Sequence, residues 1–153
     1  MLFVASLSDR FHGLRDIELF ANCTGRDLRR IDSMTTRVKI EAGHVLCRQG
    51  EVGRECFVIL TGEADVSVGG HHRTVGRGAL LGEIALLTPN GRRTATVTAL
   101  SELSVLVLSR TEFAQVMAGI PVVAHAILRE ATRRLLENTD GPDAGGAGQA
   151  GRT

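Results

Sequence analysis

The residues best suited to chemistry lie in one segment, 78–97, where a glycine, a glutamate and an arginine follow at short spacing. Gly82 permits a tight backbone, and the apolar run after Glu83 does not alternate as a strand would, so a single helical turn is predicted to begin at Glu83. A helix N-terminus presents unpaired amides and a partial positive charge. Residues 89–91, Pro-Asn-Gly, then force a turn, and Arg93 on the next strand adds a guanidinium fork. This combination predicts a site for a small anion.

The same charges allow two plainer interpretations. Glu83 and Arg93 can form an exposed ion pair across a loop, which contributes little to stability and has no function. The flanking glycines and the helix start favour the anion site instead. Arg92 would point to the opposite face of a strand from Arg93, so we expect it in solvent.

The spacing of histidine, acidic and serine residues gives less support to a metal site or a catalytic nucleophile than to the anion site. A cupin-like β-roll would build a metal site from His44, His71 and His72 with Glu63 or Glu83. However, the H-x-H motif with a nearby glutamate is missing, and side chains of adjacent histidines diverge on a strand. No serine has a visible histidine and acid around it. We therefore predict no metal, no cofactor and no enzyme activity.

The segment 78–97 must be positioned by the strands around it, which the sequence shows as short β-branched and apolar runs separated by glycine. Between residues 36 and 109 this texture is typical of an antiparallel β-roll or jelly roll. Gly69 and Gly70 suit a tight hairpin turn. The predicted strands are 36–40, 45–48, 56–61, 64–68, 71–75, 94–99 and 103–108.

Helical patterns flank the strands. Residues 9–34 read as short helices, one of them opened by a capping box at Thr24, and a second capping box at Ser109 opens another helix. Pro121 suits the first turn of a longer helix to about residue 138. The predicted fold class is mainly β with flanking helices: a β-roll with short N-terminal helices and a C-terminal helical pair. We expect a domain over 9–138, an N-terminal tail over 1–8 and a disordered Gly/Ala-rich tail over 139–153.

Composition limits the classes of protein further. The chain has 153 residues, enough for one domain, and its net charge is +1. This near-neutral charge and the absence of Trp and Tyr argue against nucleic-acid binding. No segment approaches the ~18 apolar residues of a membrane span. The odd cysteine count without a C-x-x-C pair predicts a cytoplasmic protein whose thiols pack in the core; they are Cys23, Cys47 and Cys56.

The segment also carries a family resemblance. The run G-E-I-A-L-L at 82–87, followed by R-T-A-T-V at 93–97, resembles the phosphate-binding cassette of cyclic nucleotide-binding domains. Such domains occur in the catabolite activator family and in the regulatory modules of cyclic-nucleotide-dependent kinases. Upstream, the glycine turns over 43–53 and the run 56–64 look like that family's early strands. The resemblance covers about 14–138. Because only about fifteen Gly/Ala-rich residues follow and the net charge is near zero, we expect a stand-alone domain without a DNA-binding domain.

The resemblance implies a role for each residue of the cassette. Glu83 would accept a hydrogen bond from the ribose 2′-hydroxyl, the amides of Ile84 and Ala85 would meet the cyclic phosphate, and Arg93 would neutralise it. The Thr94 hydroxyl and the Ala95 amide would add two contacts to the phosphate. The implied cassette comprises Gly82, Glu83, Ile84, Ala85, Arg93, Thr94 and Ala95.

The resemblance also implies the surroundings of the ligand. Walls for the sugar and base would come from Val66, Leu80 and Leu81. The last helix looks like the family's mobile lid, and its residues that could reach the base are Arg133, Arg134 and Asn138.

We expect a regulatory receptor for a 3′,5′-cyclic nucleotide that relays binding through its C-terminal helix. The expected ligand is cAMP; cGMP stays open, because Thr94 resembles members that use a hydroxyl toward the guanine 2-amino group. The expected partners are an unknown effector protein or a second copy that packs on the C-terminal helix, with no nucleic acid and no membrane span. The alternatives are a ligand-free jelly-roll interaction scaffold and the cupin-like metal-binding protein.

Overall fold

A computed structural model describes residues 13–139, so the predicted N-terminal tail and all but the first residue of the predicted C-terminal tail lie outside the described residues. Eight strands lie between two groups of helices. The strands are β1 (Thr36–Ile40), β2 (Val45–Cys47), β3 (Glu55–Thr61), β4 (Ala64–Val68), β5 (His71–Val75), β6 (Leu80–Leu81), β7 (Thr96–Ala99) and β8 (Leu103–Ser109).

The strands form two antiparallel sheets of four strands each. The first has the order β1-β8-β3-β6 and the second the order β2-β7-β4-β5. The long strands β3 and β8 form the middle of the first sheet, with a register that runs from Glu55 opposite Ser109 to Thr61 opposite Ser104. This two-sheet arrangement confirms the predicted β-roll.

Most strand predictions agree with the structure, and the differences have local causes. Gly69 and Gly70 both adopt positive φ between β4 and β5, as a two-residue hairpin turn requires. The strand predicted from residue 94 begins at Thr96, because the backbone of Arg93 pairs with the loop at Gly50 and Glu51 instead. The two-residue strand β6 was not predicted, since two residues are too few to show alternation.

Three α-helices and two 3₁₀ turns that lie wholly within residues 13–139 accompany the strands. They are the 3₁₀ turns Glu18–Phe20 and Ile84–Leu86, and the helices α1 (Gly25–Met34), α2 (Arg110–Gly119) and α3 (Pro121–Thr139). Both predicted capping boxes are present, at Thr24 and at Ser109. Within residues 13–139 no single helix is long and apolar enough to cross a membrane; α2 and α3 pass that test only as a pair bent by 115°.

Two hydrophobic cores lie on opposite sides of the first sheet. One packs the helices against its outer face, and the other fills the space between the sheets. Adjacent strand residues therefore enter different cores: Leu80 joins the helical core and Leu81 joins the core between the sheets. Glu83 thus lies two residues after Leu81, a member of the core between the sheets.

Candidate functional site

Glu83 is the most deeply buried charged side chain of the described residues, with 0% of its surface exposed. It precedes the 3₁₀ turn Ile84–Leu86, so the predicted helical turn is present. Its Oε1 accepts a hydrogen bond from Arg134 Nη1 at 3.1 Å. Its Oε2 has no partner, and among the described residues it is the one buried side-chain oxygen or nitrogen in that state. A buried carboxylate oxygen without a donor is costly, which points to a donor supplied from outside the chain.

Burial raises the pKa of the Glu83 carboxyl, because a carboxylate is poorly solvated there. The Arg134 guanidinium opposes this shift without cancelling it. The site therefore holds a carboxyl that is destabilised as an anion and readily accepts a further hydrogen bond.

Arg93 lies beside Glu83 and is only 8% exposed. Its Nη1 donates to the carbonyl oxygens of Glu55 at 2.7 Å and Gly82 at 3.2 Å, and its Nη2 and Nε make no hydrogen bond to the described part of the chain. Gly82 adopts φ +84°, and a Cβ there would lie 2.3 Å from Arg93 Nη1. The glycine is therefore required both by the backbone and by the approach of the guanidinium.

The amides of Ile84 and Ala85 open the 3₁₀ turn, where an amide has no acceptor within its own helix. Together with the free nitrogens of Arg93 they provide donors suited to a small anion. The plainer reading of Glu83 and Arg93 as an exposed pair does not fit, since both are buried and Glu83 pairs with Arg134 instead. Arg92 is exposed, as expected, and donates to Gly50 O.

Of the three candidate lid residues, Arg134 reaches the site from α3, with a side chain 13% exposed. Its Nε also donates to Glu130 at 3.3 Å. Arg133 points elsewhere, pairing with Glu130 and Glu137 and lining a separate cleft of about 930 Å³ beside residues 16–19. Asn138 belongs to α3, but its side chain lies outside the described residues.

A small pocket at Glu83 and Arg93 is lined by most of the residues that the sequence singled out. Its free volume is only about 20 Å³, roughly the room of a single water, whereas ligand pockets usually hold ~300 Å³ or more. In this conformation the site is therefore too small for a ligand, and Arg134, bonded to Glu83, forms part of its lining. The lining residues are Cys47, Val66, Leu81, Gly82, Glu83, Ile84, Ala85, Arg93, Thr94, Ala95, Val97 and Arg134.

Leu80 lies elsewhere than the sequence predicts, whereas Cys47 and Val97 line the pocket unpredicted. Leu80, predicted as a wall, does not line this pocket and packs in the helical core. Cys47 and Val97 line it but were not singled out. Val97 lies opposite both Cys47 and Val66 in the second sheet, so these side chains form one row across three strands. Strand alternation alone does not show that Val97 and Val66 share a face of the sheet. The register between their strands is needed to place them together.

The other candidates for chemistry are the histidines with their acidic neighbours and the three cysteines. In the stretch 13–139 no three histidine, cysteine, aspartate or glutamate residues form a group that could hold a metal ion. Instead, His72 pairs with Asp65 at 2.8 Å. Burial raises the pKa of the Cys47 thiol to about 11, and all three cysteines are free and buried, so the thiols serve as core side chains.

Comparison with known proteins agrees with this geometry. The sequence model of the cyclic nucleotide-binding domain matches residues 37–119. A cyclic nucleotide-gated potassium channel of Rhizobium etli is 37% identical over 95 residues, which are 62% of this chain and 26% of the channel. The chain thus spans about a quarter of the length of that relative.

Solved structures share the fold. The crystal structure of the Thermus thermophilus catabolite activator protein superposes with a TM-score of 0.68 and 28% identity, covering 78% of this chain and 59% of that one. The N-terminal domain of a Streptomyces coelicolor transcriptional regulator gives a TM-score of 0.61 and 31% identity, covering 84% and 92%.

Proposed function

Since this chain belongs to the cyclic nucleotide-binding domain family, we propose that it is a regulatory receptor that binds a 3′,5′-cyclic nucleotide between Glu83 and Arg93. The observation that carries the proposal is the unpartnered, fully buried Oε2 of Glu83 beside an arginine with free donors. A cyclic nucleotide presents both complements: a ribose 2′-hydroxyl that donates and a singly charged phosphate that accepts.

The phosphate would be held by the amides of Ile84 and Ala85 and by Nη2 and Nε of Arg93. The Ala95 amide, whose residue also lines the pocket, would add a contact to the phosphate. The 2′-hydroxyl would donate to Glu83 Oε2, the oxygen that has no partner in this structure. Each polar group of the site thereby gains a partner without displacing an existing hydrogen bond of Arg93.

The apolar row of Cys47, Val97 and Val66, with Leu81, would contact the sugar and base. We propose cAMP as the ligand, because this wall offers no polar side chain for the edge of a base. Thr94 is the residue that would favour cGMP, since its hydroxyl can accept a hydrogen bond from the guanine 2-amino group.

Binding would be relayed through α3. The closed pocket cannot hold a nucleotide unless Arg134 moves, and Arg134 belongs to α3. A ligand that enters therefore changes the contacts of that helix, which makes α3 the element whose position reports occupancy. We expect the response in the cytoplasm, where free thiols persist.

The receiver of the signal would be an effector protein or a second copy packed on α3. The outward face of this helix carries Leu128 and Leu136, which are 47% and 59% exposed. Light scattering with and without cAMP separates the two: a dimer that Leu128→Lys disrupts supports the second copy, and a monomer in both states supports an effector.

The proposal is tested by calorimetric titration and thermal unfolding with cAMP, cGMP or AMP, for the wild type, Arg93→Ala and the matched control Arg92→Ala. At ligand near 100 times Kd, binding stabilises the folded state by about 2.7 kcal/mol. We expect a shift with a cyclic nucleotide that Arg93→Ala abolishes and Arg92→Ala retains. No response of the folded wild type to millimolar cyclic nucleotide would leave the interaction scaffold as the better reading.

A further inference from the structure

Arg110 lies behind the cassette, at the first position of α2, and does not line the pocket. Its guanidinium donates to three carbonyl oxygens in three segments: Nη2 to Gly53 at 2.7 Å and to Ala85 at 3.0 Å, and Nη1 to Thr88 at 3.0 Å. Its backbone amide donates to Arg54 O at 3.0 Å. One residue thus joins the loop before β3, the 3₁₀ turn and the turn after it to the start of α2.

The surroundings leave Ala85 little freedom. A Cβ on Gly53 would lie 2.4 Å from the Ala85 Cβ, and a Cβ on Gly91 would lie 2.2 Å from the Ala85 carbonyl oxygen. Backbone therefore packs directly against Ala85 on two sides, and Arg110 holds its carbonyl. The Ala85 carbonyl shares its peptide plane with the Leu86 amide, which donates to Glu83 O at 3.0 Å and so closes the turn. Holding this carbonyl therefore holds the turn that the amides of Ile84 and Ala85 open.

The start of α2 is itself well fixed. The Ser109 and Glu112 capping box satisfies its first amides, and only Ile120 separates α2 from α3, which carries Arg134. The clamp by Arg110 therefore links the anion-binding turn to the helix pair that closes the pocket.

We infer that Arg110 is a positioning residue for the phosphate site: by holding the Ala85 and Thr88 carbonyls it keeps in place the 3₁₀ turn whose first amides, those of Ile84 and Ala85, meet the ligand. This inference rests on the proposed function. An arginine is needed because its planar fork offers several donors at fixed angles, whereas a lysine offers one point charge that reaches fewer acceptors.

The test compares Arg110→Gln, Arg110→Lys and the control Arg92→Gln by calorimetric titration with cAMP. Arg92 is the matched control, since it is an arginine of the same region that donates to a single backbone carbonyl, Gly50 O, at 3.1 Å. We expect Kd to rise about tenfold or more in Arg110→Gln, to rise less in Arg110→Lys, and to stay within about twofold in Arg92→Gln.

The chemical shifts of backbone amides distinguish a positioning role of Arg110 from a purely structural one. With saturating cAMP, the ligand-induced shifts of the Ile84 and Ala85 amides should shrink in Arg110→Gln, while the response of Val66 on the opposite wall persists. A lowered melting temperature with unchanged Kd overturns the inference, as does an equal loss in Arg92→Gln. If Arg110→Gln does not fold, Arg110→Lys decides by the same criteria. A wild type that binds no cyclic nucleotide contradicts the proposed function instead.

Discussion

The carboxylate of Glu83 and the guanidinium of Arg134, 51 positions apart in the chain, meet at 3.1 Å with their side chains 0% and 13% exposed. The pair joins the residue just before the 3₁₀ turn Ile84–Leu86 to α3. Because Glu83 uses one oxygen for this bond and leaves the other unpartnered, the pair closes the pocket and leaves an acceptor open within it.

Removing Arg134 should destabilise the fold markedly. Arg134→Ala leaves a buried carboxylate without its cation, and we expect a loss of about 3 kcal/mol in the free energy of unfolding. Arg133→Ala, on the same helix but in an exposed pair, should change it by about 1 kcal/mol or less. Urea titrations give both values. If the double variant Glu83→Gln/Arg134→Ala is no more stable than Arg134→Ala, the uncompensated charge is not the cause.

Stability should depend on pH through Glu83. Burial raises the pKa of its carboxyl above the ordinary 4.5, so the folded state binds the proton more tightly than the unfolded state. The resulting stabilisation is fully present below the unfolded pKa and is lost as pH rises through the folded pKa.

Unfolding free energies from pH 4 upward, for the wild type, Glu83→Gln and the exposed control Glu102→Gln, measure this dependence. The stability of Glu83→Gln relative to the wild type should increase with pH across that window and then level off. A difference that does not vary with pH would contradict the raised pKa.

Gly82→Ala should weaken nucleotide binding more than it weakens the fold. The new Cβ would lie 2.3 Å from Arg93 Nη1, so the guanidinium must move. Gly69→Ala is the control, because Gly69 also has positive φ but has no heavy atom within 4 Å of a Cβ. Both variants should lose about 1 kcal/mol of stability, and only Gly82→Ala should lose affinity for cAMP in titration. Equal affinities for cAMP would show that the position of Arg93 is unimportant.

The open oxygen of Glu83 should distinguish ribose from deoxyribose. We expect 2′-deoxy-cAMP to bind the wild type about tenfold or more weakly than cAMP, since a hydrogen bond to a carboxylate contributes roughly 1.5–3 kcal/mol. In Glu83→Ala the two ligands should bind alike. Competition titrations measure all four constants, and a deoxy penalty that survives in Glu83→Ala would assign the 2′-hydroxyl to another acceptor.

Thr94→Ala should lower the affinity for cGMP about fivefold and leave that for cAMP within about twofold, because guanine carries a 2-amino group that can donate to the hydroxyl and adenine has none at that position. Thr98→Ala is the control, because Thr98 lies four residues further along the chain, in β7, and outside the pocket lining. An equal loss for both nucleotides would place the hydroxyl at the phosphate rather than at the base.

The sequence by itself determined the local elements and the cassette. Glycines at the turns, two capping boxes and short apolar runs specify structures that depend on neighbouring residues, and they predicted the β-roll and its flanking helices. The helical turn after Glu83 and the burial of Arg93 rather than Arg92 follow from the same local rules of helix start and strand alternation.

Only the tertiary structure decided which distant residues meet. From the sequence, Arg133 and Arg134 of α3 are equally good candidates for the site. The packing of the helix turns Arg134 toward Glu83, whereas Arg133 pairs with Glu130 and Glu137. Strand register places Cys47 beside Val97, and the two cores separate Leu80 from Leu81. These outcomes depend on how elements pack across long sequence separations, which local periodicity does not encode.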